Sequence, residues 1–265
     1  MRVISMVPSW TETLLACGFD VVGRTRYCIH PDPKIKAIPI VGGTKNVDWK
    51  KVSSCQADLL LLDKEENPES MAKESPLAYF ATHVSGIGGI HSEIEAMADR
   101  LAKAGEPAVR LRDLARRWAE IEKAAPLRLK SWEELPGVED WIRKPDSVPA
   151  RVAYVIWREP WMAAAPGTFI ASVLAKLGLP TASVFPFVEG ATPQARYPSF
   201  ELKDVPEDTV FLFSSEPFPF RKKRAELAAL SRPAAIVDGE CFSWFGLRSL
   251  EFLEKVFGAP SRSGG

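Results

Sequence analysis

The same order of short apolar segments occurs twice along the chain. Val3–Val7 and Val152–Trp157 are apolar runs rich in β-branched residues, and a helical pattern that ends at a glycine follows each of them. Leu59–Leu62 and Val210–Phe213 are a second matching pair at nearly the same spacing. Strands that alternate with helices predict parallel sheets covered on both faces. We therefore expect an α/β fold of two similar lobes, although a single α/β domain can show such alternation by chance.

Composition excludes several classes of protein. The 265 residues include 34 basic and 34 acidic side chains, and this balance argues against a broad surface for nucleic acid or anionic membrane. The chain is 46% hydrophobic and 26% charged, which excludes wholesale disorder. No apolar run approaches the ~20 residues of a membrane helix. The expected partner is therefore a small molecule, with no nucleic acid and no membrane insertion.

One long amphipathic helix divides the two halves. Leu111, Leu114, Trp118 and Ile121 recur at helical spacing and predict a single buried stripe. A polar, proline-rich stretch follows and predicts an irregular connection up to about residue 149. We expect an N-terminal α/β lobe over 1–104, a backbone helix with its connector over 105–150, and a C-terminal α/β lobe over 151–265.

Aromatic and polar side chains cluster just after the predicted strands. These segments are Arg24–Pro31, Asp63–Asn67, Trp157–Met162, Ser214–Phe220 and Asp238–Phe245. Ligands of open α/β sheets bind beyond the carboxyl ends of the strands. We therefore expect a cleft that stacks a flat or bulky apolar molecule and orients it with polar groups at the edges. The alternative is that the rings only fasten loops to each lobe.

Cys28 and His30 suggest a metal site. Thiolate and imidazole suit zinc or another borderline transition metal, and positions i and i+2 share a face in a strand-like segment. Further ligands would come from Glu65, Glu66, Asp238 or Glu240. Thiol or acid–base catalysis by the same cysteine, histidine and glutamate side chains is a third reading.

The cysteines and the first residues suggest a location. Four cysteines without a C-x-x-C pair are typical of reduced thiols in a cytosolic protein. Leu14 to Gly18 looks like a lipoprotein cleavage box, but Pro8, Ser9 and Glu12 interrupt the apolar region that export requires. We expect a cytoplasmic protein, with a lipoprotein or periplasmic location as the alternative.

The opening of the chain resembles a known family. Arg2-Val-Ile-Ser-x-x-Pro-Ser-x-Thr-Glu12, with a helix that ends at Gly18, is similar to the start of the cobalamin, siderophore and haem (class III) substrate-binding proteins of ABC importers. A narrower resemblance is to their signal-less branch, called cobalamin-binding proteins or helical backbone metal receptors. It rests on Cys28-x-His30-Pro31, Gly42-Gly43-Thr44-Lys45, Glu65-Glu66-Asn67, Ile156-Trp157-Arg158-x-Pro160-Trp161-Met162, Arg196-Tyr197-Pro198 and Asp238-Gly239-Glu240 with Ser243-Trp244.

The resemblance implies a fold and a set of site residues. It implies two Rossmann-like lobes bridged by a rigid backbone helix, as in periplasmic-binding-protein-like receptors, with the ligand in the cleft. Trp10, Trp157, Trp161, Phe218 and Trp244 would stack on that ligand, and Lys45, Glu66, Arg158 and Arg196 would pair with its polar edge. The complete predicted set is Trp10, Cys28, His30, Lys45, Glu65, Glu66, Asn67, Trp157, Arg158, Trp161, Met162, Arg196, Tyr197, Glu216, Phe218, Asp238 and Trp244.

The resemblance also implies a function. It implies a monomeric, non-catalytic binding protein that needs no cofactor and holds a corrinoid, haem, another metal chelate or a metal ion. An ABC transporter would be the protein partner, and Glu69 would be the docking residue of the first half. The corresponding position of the second half is Arg221–Arg224, which is opposite in charge. The alternatives stay a metal-ion binder or sensor through Cys28 and His30, and an enzyme.

Overall fold

The chain forms two compact units, each with its own sheet. The computed structural model describes residues 1–101, 105–146, 151–179 and 196–258. Unit 1 comprises Met1–Lys123 and Trp244–Glu254, and unit 2 comprises Ala124–Ser243 and Lys255–Gly265. The domain boundaries expected after residues 104 and 150 lie at the ends of 102–104 and 147–150, which are outside the described residues. Among the helices described, none combines the length and apolar character needed to cross a bilayer.

Strands and helices alternate through most of the chain. The described strands are β1 (Arg2–Ser5), β2 (Asp20–Thr25), β3 (Ile40–Gly42), β4 (Leu59–Asp63), β5 (Tyr79–Thr82), β6 (Val138–Arg143), β7 (Arg151–Trp157), β8 (Trp161–Ala163), β9 (Ser199–Phe200), β10 (Thr209–Ser214) and β11 (Ala234–Val237). The described helices are α1 (Pro8–Cys17), α2 (Trp49–Ser54), α3 (Glu69–Lys73), α4 (Ile90–Leu101), α5 (Glu106–Lys123), α6 (Phe169–Lys176), α7 (Arg224–Ala228), α8 (Gly239–Ser243) and α9 (Leu247–Phe257).

The sheet of unit 1 is parallel in all its described pairings. Its strand order is β3-β2-β1-β4-β5, with β1 in the centre. All five residues of β4 are buried, because helices cover both faces of a parallel sheet. This explains why Leu59–Leu62 is a continuous apolar run rather than an alternating one. The parallel arrangement places the carboxyl ends of these strands at one edge.

The sheet of unit 2 has a parallel centre and antiparallel margins. Its order is β6-β11-β10-β7-β8-β9, and β11, β10 and β7 are parallel neighbours. The pairs β6·β11, β7·β8 and β8·β9 are antiparallel. The predicted α/β class with two parallel-rich sheets is therefore confirmed. The prediction of an irregular connection up to residue 149 was wrong for β6, whose residues are half-buried or exposed at the sheet margin and so carry no strong apolar signal.

The long helix α5 has the buried stripe that its sequence predicts. Leu111, Leu114, Trp118 and Ile121 are all buried in unit 1. Trp118 also donates its indole N–H to the carbonyl oxygen of Gly246 at 2.9 Å. Helix α5 packs on α4 and α1. This hydrogen bond fastens the returning segment 244–254 to the helix.

Gly246 provides a test of this junction. Its φ is +103°, and a Cβ atom there would lie 2.4 Å from Thr13 Oγ1 and 3.2 Å from the Trp10 ring. Gly246→Ala should therefore lower the free energy of unfolding by about 1–3 kcal/mol. Alanine is strained at this positive φ, and its Cβ atom would clash with Thr13 Oγ1. The measurement is urea denaturation followed by tryptophan fluorescence.

Gly88→Ala is the matched control. A Cβ atom at Gly88 would meet only Glu122 Oε1, at an ordinary 3.6 Å. It should change the free energy of unfolding by less than about 0.5 kcal/mol. Equal effects of the two substitutions would contradict the role assigned to Gly246.

Candidate functional site

A buried carboxylate organises the carboxyl ends of the strands of unit 1. Asp63, at the end of β4, has no exposed surface. It accepts hydrogen bonds from Thr82 Oγ1 at 2.6 Å, the Glu65 N–H at 2.9 Å and the Val84 N–H at 3.1 Å. Burial raises the pKa of Asp63, and these hydrogen bonds oppose the rise. One side chain thus fixes the loops that follow β4 and β5.

Trp10 belongs to the same buried network. Its indole N–H donates to Thr82 Oγ1 at 2.9 Å, and its ring meets Phe245 edge-on at 5.1 Å between centroids. The ring has no exposed surface. This burial argues against the stacking of Trp10 on a ligand, which stays a prediction. Trp10 supports the strand ends from within unit 1.

Asn67 forms hydrogen bonds at the ends of three strands. Its Oδ1 accepts the Asp63 N–H at 2.9 Å, and its Nδ2 donates to the carbonyl oxygens of Met6 at 3.1 Å and Thr44 at 2.9 Å. These partners lie after β1 and β3 and at the end of β4. The side chain is buried, so its hydrogen bonds give Asn67 a structural role, and its contact with a ligand stays a prediction.

The surroundings of Cys28 are unfavourable for the predicted metal site with His30. The Cys28 side chain is fully buried, and its Sγ lies 3.2 Å from Thr11 Oγ1 and 3.1 Å from Thr25 Oγ1. Burial raises the pKa of this thiol, which disfavours the thiolate that a metal or a reaction needs. The described residues contain no group of three or more His, Cys, Asp or Glu side chains placed to hold a metal ion. The chain also turns here, with the Cys28 N–H bonded to the Thr25 carbonyl oxygen, instead of staying strand-like. These observations argue against the metal site, which stays a prediction.

His30 lies against an aromatic ring from the other end of the chain. The imidazole of His30 and the indole of Trp244 meet edge-on, with centroids 5.4 Å apart. The Arg248 guanidinium carbon lies 5.6 Å from the centroid of the Trp244 ring. Trp244 is buried in unit 1 between these neighbours. Trp244 therefore contacts His30 and leaves little ring surface open, and its stacking on a ligand stays a prediction.

Polar side chains border the loops after β3 and β4. Lys45 Nζ donates to the carbonyl oxygens of Glu66 at 2.5 Å and Glu65 at 3.4 Å. Glu65 Oε1 also lies 2.7 Å from Nε2 of His83. Lys45 is exposed, while Glu65 and Glu66 are half-buried. The predicted residues Lys45, Glu65 and Glu66 are thus brought together.

Sequence reasoning missed two exposed side chains of this region. Tyr27 is 54% exposed and Ile29 is 52% exposed, on either side of the buried Cys28. The motif Cys28-x-His30 pointed to those two side chains instead. Tyr27, Cys28 and Ile29 are three consecutive apolar residues, and the sequence alone does not say which of them point outward.

In unit 2, an aromatic pair made of an exposed tryptophan and a half-buried phenylalanine follows the central strands. Trp157 ends β7 and is 40% exposed, the highest exposure among the eight tryptophans. Its ring meets Phe218, after β10, edge-on at 5.4 Å between centroids. Phe218 in turn packs on the buried Phe220 at 4.6 Å. The pair therefore lies at the carboxyl ends of two parallel strands, β7 and β10, and packs on the buried Phe220.

Trp161 supports a neighbouring arginine. Its ring stacks on Phe220 with an interplanar angle of 3° and packs against the core of unit 2. The guanidinium carbon of Arg158 lies 5.4 Å from the ring centroid, and Arg158 also pairs with Glu226. Trp161 thus packs against Arg158 and the core of unit 2, and its stacking on a ligand stays a prediction.

An acidic group surrounds the start of α8. Asp238 Oδ1 accepts the N–H groups of Glu240 and Cys241 at 3.0 and 3.2 Å, and Cys241 Sγ lies 3.2 Å from Asp238 Oδ2. These bonds make the Asp238 carboxylate the cap of α8. Glu216 Oε1 accepts from Ser243 Oγ at 2.8 Å. Burial, and then the charges of Glu240 and Asp238, raise the pKa of Glu216.

The remaining predicted residues lie at the margins. Met162 pairs with Trp157 across β7 and β8 and is half-buried. Arg196 donates to the Gly167 carbonyl oxygen at 2.8 Å, and Tyr197 is exposed. Glu69, the first residue of α3, is exposed and forms an ion pair with Lys73 at 2.9 Å.

A surface groove of about 450 Å³ lies elsewhere. It is open to solvent at the amino-terminal ends of β1 and β2, opposite the loops described above. Its lining residues are Arg2, Val21, Val22, Ala37, Ile38, Pro39, Lys51, Ser54 and Cys55. No residue of the predicted site lines it.

Asn67→Asp tests the junction of the strand ends. A carboxylate cannot donate to the Met6 and Thr44 carbonyl oxygens, and it would place negative charge beside them. We expect the free energy of unfolding at pH 7 to fall by about 1–3 kcal/mol. Asn46→Asp is the control, since exposed Asn46 uses Oδ1 to accept the Gly43 N–H and keeps that ability. Equal stability of the two variants in urea would refute the structural role of Asn67.

Glu216→Gln tests the acidic group of unit 2. The raised pKa means that folded Glu216 keeps its proton to higher pH than the unfolded chain does, so wild-type stability falls as pH rises from about 4.3 through the raised value. The variant keeps an acceptor for Ser243 and has no charge, so it should be more stable than wild type at pH 7 and nearly equal to it at pH 4.

Glu226→Gln is the control with the opposite sign. Lys223 and Arg158 hydrogen-bond Glu226 and lower its pKa, so its contribution to stability is present at pH 7 and is lost as pH falls through the lowered value. Urea denaturation of the three proteins across about pH 2.5–7 measures both effects. A Glu216→Gln variant that is less stable than wild type at pH 7 would contradict the expectation.

Comparison with known proteins identifies the fold. No protein-family model and no curated protein matches the chain. The periplasmic vitamin B12 binding protein BtuF of Vibrio cholerae is 18% identical over 97% of this chain and 95% of its own, with a TM-score of 0.65. The periplasmic heme-binding protein RhuT of Roseiflexus sp. RS-1 is 17% identical over 97% of both chains, with a TM-score of 0.64. The S. aureus protein IsdE, solved in complex with heme, is 12% identical over 98% of this chain and 99% of its own, with a TM-score of 0.67. The chain therefore has the fold of these vitamin B12- and heme-binding proteins, as the resemblance in its sequence predicted.

Proposed function

We propose that the chain is a non-catalytic binding protein for a bulky small molecule such as a corrinoid, haem or another metal chelate. Solved proteins of the same fold are described as binding vitamin B12 or heme. Fold alone is weak support for a ligand, so the proposal depends on the loops at the strand ends. Aromatic rings and a few charged groups converge there in each unit.

The exposed Trp157 carries the proposal. A large indole left 40% exposed, at the ligand-binding end of a parallel sheet, retains apolar surface that a ligand can cover. Phe218 and Phe220 hold the ring in place, so little conformational freedom is lost on binding. Arg158 and Lys45 are the proposed partners of the polar edge of the ligand. Sharing of one ligand by the loops of both halves stays a prediction.

The state of Cys28 argues against the two alternative functions. A zinc-like site and thiol catalysis both need an accessible thiolate. The Cys28 thiol is buried beneath Thr11 and Thr25, and its pKa is raised. Binding without chemistry is therefore the better proposal.

An ABC transporter is the protein partner that the proposal implies. In unit 1, the exposed Glu69 is the proposed docking residue. In unit 2, Arg221 and Arg224 pair with Glu139 and Asp140, so no docking residue is assigned there. BtuF and RhuT are described as periplasmic, and this favours an exported location over the cytoplasmic one expected from the sequence.

Titration with candidate ligands tests the proposal. Purified protein is titrated with cyanocobalamin, dicyanocobinamide and haemin by isothermal calorimetry, with tryptophan fluorescence as a second signal. Trp157→Ala should weaken binding of the accepted ligand about tenfold, because a buried aromatic contact is lost. Tyr79→Ala is the control, since Tyr79 is 51% exposed but begins β5 at the opposite edge of its sheet. Absence of binding to all three ligands, or an unchanged Kd for Trp157→Ala, would contradict the proposal.

A further inference from the structure

Two large apolar side chains project from the turn after β2. Tyr27 and Ile29 are more than half exposed, and Cys28 between them is fully buried. Single exposed apolar residues are common on protein surfaces, but two from one turn form a small patch. This patch lies at the carboxyl end of a parallel strand, where ligands of α/β sheets bind.

The turn that carries this patch is rigidly held. The Tyr27 N–H donates to Thr25 Oγ1 at 3.2 Å, and the guanidinium of the buried Arg24 donates to the Cys28 carbonyl oxygen at 3.0 Å. The Tyr27 ring packs on the backbone of Gly43, where an added Cβ would lie 3.3 Å from its Cε2 atom. The exposure of Tyr27 and Ile29 is therefore a fixed property of the folded unit, and a ligand would meet a preformed surface.

A positive charge lies on the neighbouring loop. Lys45 follows Gly43, against which the Tyr27 ring packs, by two residues. The carbonyl oxygens of Glu65 and Glu66 accept from its ammonium group and hold it at this edge of the sheet. An ammonium group has three N–H donors, so these two bonds leave it able to bind an anion as well.

We infer that Tyr27 and Ile29 are the apolar contact of unit 1 for a flat ring system, and that Lys45 selects ligands with a carboxylate or phosphate at the ring edge. The inference rests on the proposed function and narrows its ligand class to flat anionic chelates. It replaces Trp10 and Cys28, which are buried, as the contacts from this part of unit 1.

The experiment compares matched variants with three probes. The probes are haemin, which carries two carboxylates; dicyanocobinamide, which carries no carboxylate or phosphate; and 8-anilinonaphthalene-1-sulfonate, an anionic aromatic dye. Tyr27→Ala and Ile29→Ala should each weaken haemin and dye binding about fivefold to tenfold. Lys45→Met should weaken haemin and dye about fivefold and change cobinamide less than twofold.

Matched controls separate this surface from general exposure. Tyr79→Ala and Ile40→Ala remove side chains that are 51% and 41% exposed at the opposite edge of the same sheet, and Lys50→Met removes an exposed ammonium on α2. Each control should leave every Kd within twofold of wild type. Far-UV circular dichroism and thermal melting check that all variants fold, as expected for exposed positions.

The outcomes distinguish the inference from the proposed function. If Trp157→Ala weakens haemin binding while the Tyr27, Ile29 and Lys45 variants bind as wild type does, the inference fails and the function stands. If no chelate binds, the proposed function fails and the inference, which rests on it, fails as well, even where dye binding depends on Tyr27, Ile29 and Lys45. Dye and chelate binding that are both insensitive to these three residues would overturn the inference.

Discussion

The hydrogen bonds of one buried carboxylate hold the loops of unit 1 on which the candidate site depends. Asp63 gives up hydration, and donors from Thr82, Glu65 and Val84 replace it. Asn67 extends the same junction to the loops after β1 and β3. Because both side chains lie inside the fold, the groups they position, such as Lys45 and the Glu65 carboxylate, stay at the surface in defined places.

Unit 2 presents its candidate surface by a different physical means. Aromatic contacts run from the exposed Trp157 through Phe218 to the buried Phe220, and Trp161 stacks on the same Phe220. Dispersion between the rings therefore positions the candidate binding residues of unit 2, whereas hydrogen bonds position those of unit 1. The charged groups nearby are held through the same scaffold, as Arg158 over the Trp161 ring shows. Rigid apolar surfaces bordered by fixed charges are well suited to a large, stiff ligand.

The sequence predicts the architecture far better than the individual contacts. Continuous apolar runs such as Leu59–Leu62 and the stripe of α5 are set by burial and periodicity, and both are observed. Periodicity does not determine which side chains of a turn are buried. Cys28 and Tyr27 are neighbours of similar apolar character, yet in the turn closed by the Cys28 N–H and the Thr25 carbonyl oxygen Cys28 is buried and Tyr27 is exposed. The burial of Trp10 could not be predicted for a related reason, because it depends on Phe245 and Thr82, far away in the sequence.

The burial pattern of the thiols has a practical consequence. Cys17, Cys28 and Cys55 are buried, whereas Cys241 on α8 is partly exposed beside Asp238. The native chain thus offers one preferred attachment point for a maleimide dye, already located at the acidic end of unit 2. A fluorophore placed there would report on that surface in the unaltered protein, so labelling studies need no engineered cysteine and no removal of the three inner ones.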